Sequence, residues 1–351
     1  MSTTNPAADI NNANYGNGVY SALLNALRTP YEVGFGTGPN ANGPGNQALR
    51  ANVAVGGYPD LRITNRGSDW YFAVCAVMGA ATLAFMGLSF TKPRSDRLFH
   101  YITAMITLVA CIAYFSMGSG LGQTPITVEF GRPNSAMVGG AGLHGTREIF
   151  YVRYIDWFVT TPLLLLDLLL TAGVPWPTTL IVILADEVMI VTGLVGALTR
   201  TSYKWGYWTF GMVAFFYVVY SLVAVGMPHA KALGPDVSRV FTMCGVLTLF
   251  LWFLYPIAWG VAEGGNVIHP DSEAIFYGIL DLIAKPVFGF MLIFGHKNIT
   301  AAQLGLNIYD PVENRQHTEK VHNDVGANVH GHGANGVTGT TANTSVPATT
   351  V

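Results

Sequence analysis

From Trp70 onward the chain is organised as seven apolar runs of about 20 residues, the length that crosses a bilayer as a helix. They fall near 70–90, 98–118, 148–170, 176–198, 204–227, 239–262 and 273–295, and most connections are short enough to join antiparallel neighbours. The pattern predicts an all-α fold, a bundle of seven transmembrane helices. One connection is different. Within 119–147, the segment Ile126–Phe130 and a later Gly-rich stretch predict a small β-hairpin outside the membrane, between helices 2 and 3.

The flanks are polar. Residues 1–68, rich in Asn, Gly, Pro and Ala, lack the basic start and apolar core of a secretory signal and are expected to form a disordered N-terminal tail, with Val19–Leu27 as a short, marginal helix. Residues 297–351 read as a second tail, in which His317, His322, His330 and His332 make a solvated run more readily than a metal site. The domain plan is therefore tail 1–68, membrane domain 69–296 and tail 297–351.

Composition supports a membrane protein. Of 351 residues, 18 are Lys or Arg and 20 are Asp or Glu; charge is 11% of the chain, against roughly 25% in soluble domains. Hydrophobic residues reach 51%, and mean hydropathy is +0.39 in spite of the polar ends. A net charge of −2 gives no whole-chain basis for binding nucleic acid. Cys75, Cys111 and Cys244 all lie in apolar stretches, which argues against a disulfide framework or a zinc site.

Orientation is not written in the charges. Lys92, Arg94, Arg97, Lys231, Arg239 and Lys297 flank the spans on the side of the C-terminus, and Arg62, Arg66, Arg132, Arg147, Arg200 and Lys204 flank them on the other, an even division. The compact basic loop Lys92–Arg97 leans towards a cytoplasmic C-terminus. Asn298-Ile-Thr300 and Asn343-Thr-Ser345 match the glycosylation pattern and are expected to stay unmodified on that side.

Ions inside the spans carry the functional signal, because a central Asp, Lys or Arg costs about 2.5–3.5 kcal/mol on insertion scales. The third span contains Arg153, Asp156 and Asp167, the fourth Asp186 and Glu187, and the seventh Asp281 and Lys285. Lys285 follows Asp281 by four residues, so a cation and an anion share one helix face. Two readings fit: an internal ion pair that orients helices, or an amine that carries a Schiff base to a carbonyl cofactor. Arg153, Asp156, Thr160 and Asp167 form one stripe, with the two acids about 16 Å apart along the axis, a spacing that suggests a proton relay. Trp252, Tyr255 and Trp259 make an aromatic stripe on the sixth span around Pro256, either packing core or the wall of a flat cofactor.

The run Arg153-Tyr-Ile-Asp156-Trp157-Phe-Val-Thr160-Thr161-Pro162-Leu-Leu-Leu-Leu-Asp167 closely resembles the third helix of bacteriorhodopsin-like microbial rhodopsins. Asp186-Glu-Val-Met189-Ile-Val-Thr-Gly193 resembles their fourth helix, Trp252-Phe-Leu-Tyr255-Pro256-Ile-Ala-Trp259 their sixth and Asp281-Leu-Ile-Ala-Lys285 their seventh. The resemblance covers about 70–295, and the Tyr203-Lys-Trp-Gly-Tyr-Trp208 loop looks most like the fungal branch. It implies all-trans retinal on Lys285 as a protonated Schiff base, the N-terminus outside, the C-terminus cytoplasmic and a light-driven cycle in the plasma membrane. It also implies a photoactive transporter rather than an enzyme, with lipid and the proton as partners and a homo-oligomer as a further option.

Carried over by motif, Asp156 and Asp281 resemble the counterions, Asp156 the proton acceptor, Arg153 their positive neighbour, Thr160 the threonine near the acceptor and Asp167 the internal donor. Asp-Thr-Asp at 156, 160 and 167 resembles outward proton pumps; chloride pumps replace the acceptor by a neutral hydroxyl residue, and sodium pumps carry another triplet. Trp157, Thr161, Leu164, Met189, Gly193, Trp208, Phe215, Trp252, Tyr255 and Trp259 match positions that line the retinal pocket. Gly211 stands where bacteriorhodopsin has a serine. Tyr114 and Tyr255 resemble the tyrosines that bond the counterions, while Glu263 and Glu273 resemble the external release pair, Glu263 with a spacing one residue short. Pro286 and Glu187 have no assigned role. The main rival is a light sensor with the same chromophore and a slow cycle, and beyond it a retinal-free membrane stress protein, against which Lys285 argues.

Overall fold

The computed structural model describes residues 52, 59–131, 145–306 and 308. Seven helices are long and apolar enough to cross a membrane: α1 (Asn65–Ser89), α2 (Leu98–Gly118), α3 (Tyr151–Thr171), α4 (Trp176–Leu198), α5 (Lys204–Ala232), α6 (Pro235–Gly264) and α7 (Pro270–Asn298). Local chemistry sets several of the ends. Thr64 caps α1 by accepting from the Arg66 N–H, and Pro235 and Pro270 open α6 and α7 where a missing N–H costs nothing. Gly173 and Gly234, at φ 65° and 121°, make the tight exits from α3 and α5.

The bundle is apolar on the outside and ionic within. Leu83, Phe210 and Phe250 are more than half exposed and face where lipid lies. Arg153, Asp156, Asp167, Asp186, Glu263, Glu273, Asp281 and Lys285 are all buried, the arrangement expected where hydrocarbon replaces water as the solvent. The seventh helix packs closely on the first: a Cβ on Gly278 would stand 2.3 Å from the Trp70 indole nitrogen, which donates to the Ala274 carbonyl at 3.0 Å. Cys75, Cys111 and Cys244 are free thiols.

Three expectations change in detail. The hairpin between α2 and α3 exists: β1 (Thr124–Thr127) pairs antiparallel with β2 (Thr146–Ile149), and the Val128 N–H donates to the carbonyl of Gly145 at 3.0 Å, the end of a Gly-rich stretch that otherwise lies outside the described residues. The β-branched and extended Thr-Arg-Glu-Ile run supplies the partner, and α3 consequently starts at Tyr151 rather than near 148. The edge of the N-terminal tail is also packed. Leu61 donates to the Thr146 carbonyl and accepts from the Glu148 N–H, both at 2.9 Å, and the Asp60 carboxylate accepts from the Thr146 N–H at 2.8 Å. At the other end Leu304 is buried, and the Ala301 N–H donates to Asp96 at 2.9 Å. Packed residues thus lie on the tail sides of the boundaries at 68/69 and 296/297. Val19–Leu27, Arg132, the four tail histidines and Asn343 lie outside the described residues.

Glu148 ties this outer layer together. Its carboxylate accepts from the Ile63 N–H at 2.7 Å, and burial pushes the carboxyl up to about 8, with the charge of Glu273 adding to the rise and Arg62 and Arg147 opposing it. An acid raised on folding binds more protons in the native state, so its contribution is fully present below about pH 4.5 and is lost as pH rises towards 8. Melting temperature should fall across that window, with an upper limit of about 5 kcal/mol in stability, and Glu148→Gln should flatten the profile. An unchanged slope in the variant would remove Glu148 as its cause.

Candidate functional site

Lys285 sits mid-helix in α7, 2% exposed. Its Nζ donates to Asp156 Oδ2 at 2.5 Å and lies 3.4 Å from Asp281 Oδ2. Asp281 is held further by the phenols of Tyr114, at 2.7 Å, and Tyr255, at 2.5 Å. The second oxygen of Asp156 has no hydrogen-bond partner among the described residues. Thr160 donates to the main-chain oxygen of Asp156, at 2.9 Å, rather than to its carboxylate. One ammonium between two buried carboxylates leaves one negative charge uncompensated by the lysine, a costly arrangement unless it is used.

The helix is built around that amine. Pro286 has no N–H to donate four residues back, and the segment Ile283–Val287 widens into a π-helical turn in which the Phe288 N–H reaches the Ile283 carbonyl. Such turns recur where a helix must re-aim a side chain. Pro286 therefore has a structural role beside Lys285.

A cavity opens from Lys285 between the helices, and every residue predicted to line it is on its wall. Asp281 and Ala284 join Lys285 at one end, and Tyr154, Ile190, Met212 and Pro256 complete a lining that is almost wholly apolar. The walls are stiff: Trp157 stands edge-on to Tyr255 and to Tyr277, each at 5.3 Å, and the Trp259 indole donates to the Gly193 carbonyl at 3.2 Å. Gly211 is also on the wall, where a Cβ would meet Thr192 Oγ1 at 3.0 Å. Thr161 donates to Asp186 at 2.7 Å behind the wall.

Towards the hairpin lies a second ionic cluster. Arg153 donates to Glu273 at 2.6 Å, to Glu263 at 3.2 Å and to the Tyr71 phenol at 2.9 Å. Arg147 holds the other oxygen of Glu273 at 2.6 Å and Asn266 at 2.7 Å, and Tyr154 and Tyr277 donate to Glu263. Arg153, expected as the positive neighbour of Asp156 and Asp281, makes its ion pairs among the described residues with the two glutamates, one Nη1 reaching one oxygen of each. Glu263, the residue with the short spacing, is carried inward on a π-helical turn, Gly260–Gly264, and joins the cluster.

Asp167 lies on the opposite side of Lys285. Its side chain is fully buried, and neither carboxyl oxygen has a hydrogen-bond partner among the described residues. Among the described residues Glu187 makes no hydrogen bond or ion pair with these clusters, and one of its oxygens is buried without a partner. Sequence reasoning did not find Tyr71, Arg147, Asn266, Tyr277 or His296. Arg147 and Asn266 sit at the ends of connections and had no signal; Tyr71 and Tyr277 face inward on α1 and α7, where an aromatic at helical spacing reads as core.

Seven apolar helices and an ionic interior define an integral membrane protein. The model for bacteriorhodopsin-like proteins matches residues 67–299, and the chain belongs to that family. The opsin-like protein carO of Fusarium fujikuroi is 60% identical over 303 residues, 86% of this chain and 96% of that protein. Among solved structures, a light-driven proton pump from Leptosphaeria maculans has 37% identity and a TM-score of 0.64, covering 70% of this chain and 98% of that one. The light-driven proton pump rhodopsin of Coccomyxa subellipsoidea has 38% identity and a TM-score of 0.62, covering 67% and 99%.

Proposed function

We propose that this protein is a light-driven outward proton pump that carries all-trans retinal on Lys285, with its N-terminus outside and its C-terminus in the cytoplasm, in the plasma membrane. The observation that carries the reading is the contact of Lys285 Nζ with Asp156 and Asp281 on the wall of a cavity lined by aromatic side chains. A primary amine on the wall of an apolar, aromatic-lined cavity fits an aldehyde-bearing polyene, and the carboxylates fit a positive charge on that nitrogen in the dark. Lys285 would hold retinal, which when bound would supply light absorption and a light-driven change of shape, with Asp156 and Asp281 facing the same nitrogen.

The residues of this chain do the rest. Asp281, with two phenols donating to it, keeps its charge, while Asp156, with one oxygen unpartnered, is the easier place for the proton released from Lys285. Arg153, Glu263 and Glu273 hold charge and protons between Asp156 and the hairpin side, where release takes place. Asp167, flanked by leucines along α3 and fully buried, returns a proton to Lys285 from the other side. Direction follows because acceptor and donor lie on opposite sides of one nitrogen.

Two experiments test this. Cells or vesicles holding the retinal-loaded chain should acidify the outer medium under light, and a protonophore should abolish the change; colour without acidification would favour a sensor. In flash photolysis, Asp167→Asn should slow return of the proton to Lys285 by about 10²-fold or more. An unchanged rate would remove Asp167 from the donor role.

A further inference from the structure

One buried contact beyond Asp167 takes no part in the mechanism above. Thr171 follows Asp167 by one turn of α3 and is fully buried. Its Oγ1 is 2.6 Å from the main-chain oxygen of Asp167 and 3.2 Å from Nε2 of His296, near the end of α7 and 5% exposed. The other ring nitrogen, Nδ1, is 2.8 Å from the Leu292 carbonyl. A carbonyl only accepts, so Nδ1 carries a hydrogen in either charge state and Nε2 is the atom that gains or loses a proton.

Thr171 has a single hydroxyl hydrogen to place. With Nε2 bare, the hydroxyl donates to it; with Nε2 protonated, the ring donates to Oγ1 and the hydroxyl turns to the Asp167 carbonyl. Both settings leave every hydrogen satisfied, and they differ by one proton. The ring is held by Phe99 of α2, stacked at 4.4 Å. The charged and titratable groups around it are His100 of α2 and Lys92 of the preceding loop, with Asp167 on α3 and Cys244 of α6 close to Asp167. Lys92 is engaged with the Lys297 carbonyl at 2.7 Å.

We propose that His296 takes up a proton from the cytoplasmic side and passes it to Asp167 through Thr171, an inference that rests on the pump reading above. In the step, a solvent proton binds Nε2. The Nε2 hydrogen then moves to Oγ1 as the hydroxyl hydrogen, released from the Asp167 main-chain oxygen, leaves for the carboxylate of the same residue once that side chain, whose two oxygens have no other partner among the described residues, turns to Oγ1, and the imidazole returns neutral. Nothing is oxidised or reduced.

The alternative is a histidine that only caps the end of α7. His296→Asn separates the two, because its amide can still donate to Leu292 but cannot carry a proton. The full chain with retinal, in lipid, is flashed with a pH-indicating dye on the cytoplasmic side, and the carboxylic C=O band of Asp167 is followed by infrared against pH in the dark, retinal-free protein. In the unsubstituted chain, uptake slows as pH rises through the range in which His296 itself titrates, and the Asp167 band shifts over the same range. His296→Asn slows uptake about 10²-fold, added imidazole restores it, and the band no longer moves with pH. Thr171→Val, which keeps the shape of the side chain and removes its hydroxyl, also slows uptake. Uptake unchanged in His296→Asn, or slowed without rescue by imidazole, overturns the proposal. If Asp167→Asn slows the return of the proton to Lys285 but His296→Asn does not alter uptake, this relay fails alone; if Asp167→Asn has no effect, the donor reading fails with it.

Discussion

Lys285→Ala protein given all-trans retinal is expected to stay colourless, with the visible band lost completely rather than weakened. The amine is the only nitrogen nucleophile among the residues that line the cavity apart from indole rings, so no neighbour can substitute for it. The same change removes the cation that stands 2.5 Å from Asp156 and 3.4 Å from Asp281. Breaking a buried pair by deleting one partner costs about 3–5 kcal/mol, which a thermal melt of the retinal-free protein would register. Adding Asp156→Asn to Lys285→Ala should recover part of that loss, because the two residues are in contact and their effects are not additive. A visible band in Lys285→Ala, or additive melts, would contradict this account of the site.

Asp156→Asn has the second large effect. Its amide cannot accept the Lys285 proton, so light-driven acidification should fall by at least about 10²-fold, to be measured with a pH electrode on matched amounts of coloured protein. Colour should remain, since Asp281 still faces the nitrogen with Tyr114 and Tyr255 donating to it. Persistent pumping in Asp156→Asn would transfer the acceptor role to Asp281.

The bundle and its ionic centre were legible because hydrocarbon constrains sequence severely. A run of 20 apolar residues has one common structure, and an Asp or Lys inside it needs a partner, so Asp156, Asp281 and Lys285 could be expected to meet, and they do. Of the cavity wall, the residues by themselves offered only the stripe Trp252, Tyr255 and Trp259, open between core and cofactor wall; the other lining positions followed from the resemblance. What could not be read was which acid a long side chain would choose. Arg153 shares a stripe with Asp156, yet its guanidinium turns to Glu263 and Glu273 on the hairpin side, a choice made by tertiary packing.

Local hydrogen bonding hid the remaining features. The π-helical turns at Lys285 and Glu263 change helix register by a step that a 3.6-residue period does not record, though Pro286 was a visible cause of the first. The hairpin partner of Thr124–Thr127 proved to be Thr146–Ile149, because strand pairing across a long connection is set by both strands together. His296 carried no signal: a single histidine at a helix end acquires meaning only when Thr171, 125 residues earlier, is placed against it.

The central claim is that the proton leaving Lys285 arrives on Asp156. Time-resolved infrared spectroscopy of the retinal-loaded chain after a flash measures both events at once. The account predicts that the C=O band of a newly protonated carboxyl rises with the time constant at which the Lys285 nitrogen loses its proton, and that Asp156→Asn abolishes this band while Asp281→Asn leaves one. Loss of the proton from Lys285 with no carboxyl band at that time, or a band that survives in Asp156→Asn, would contradict it.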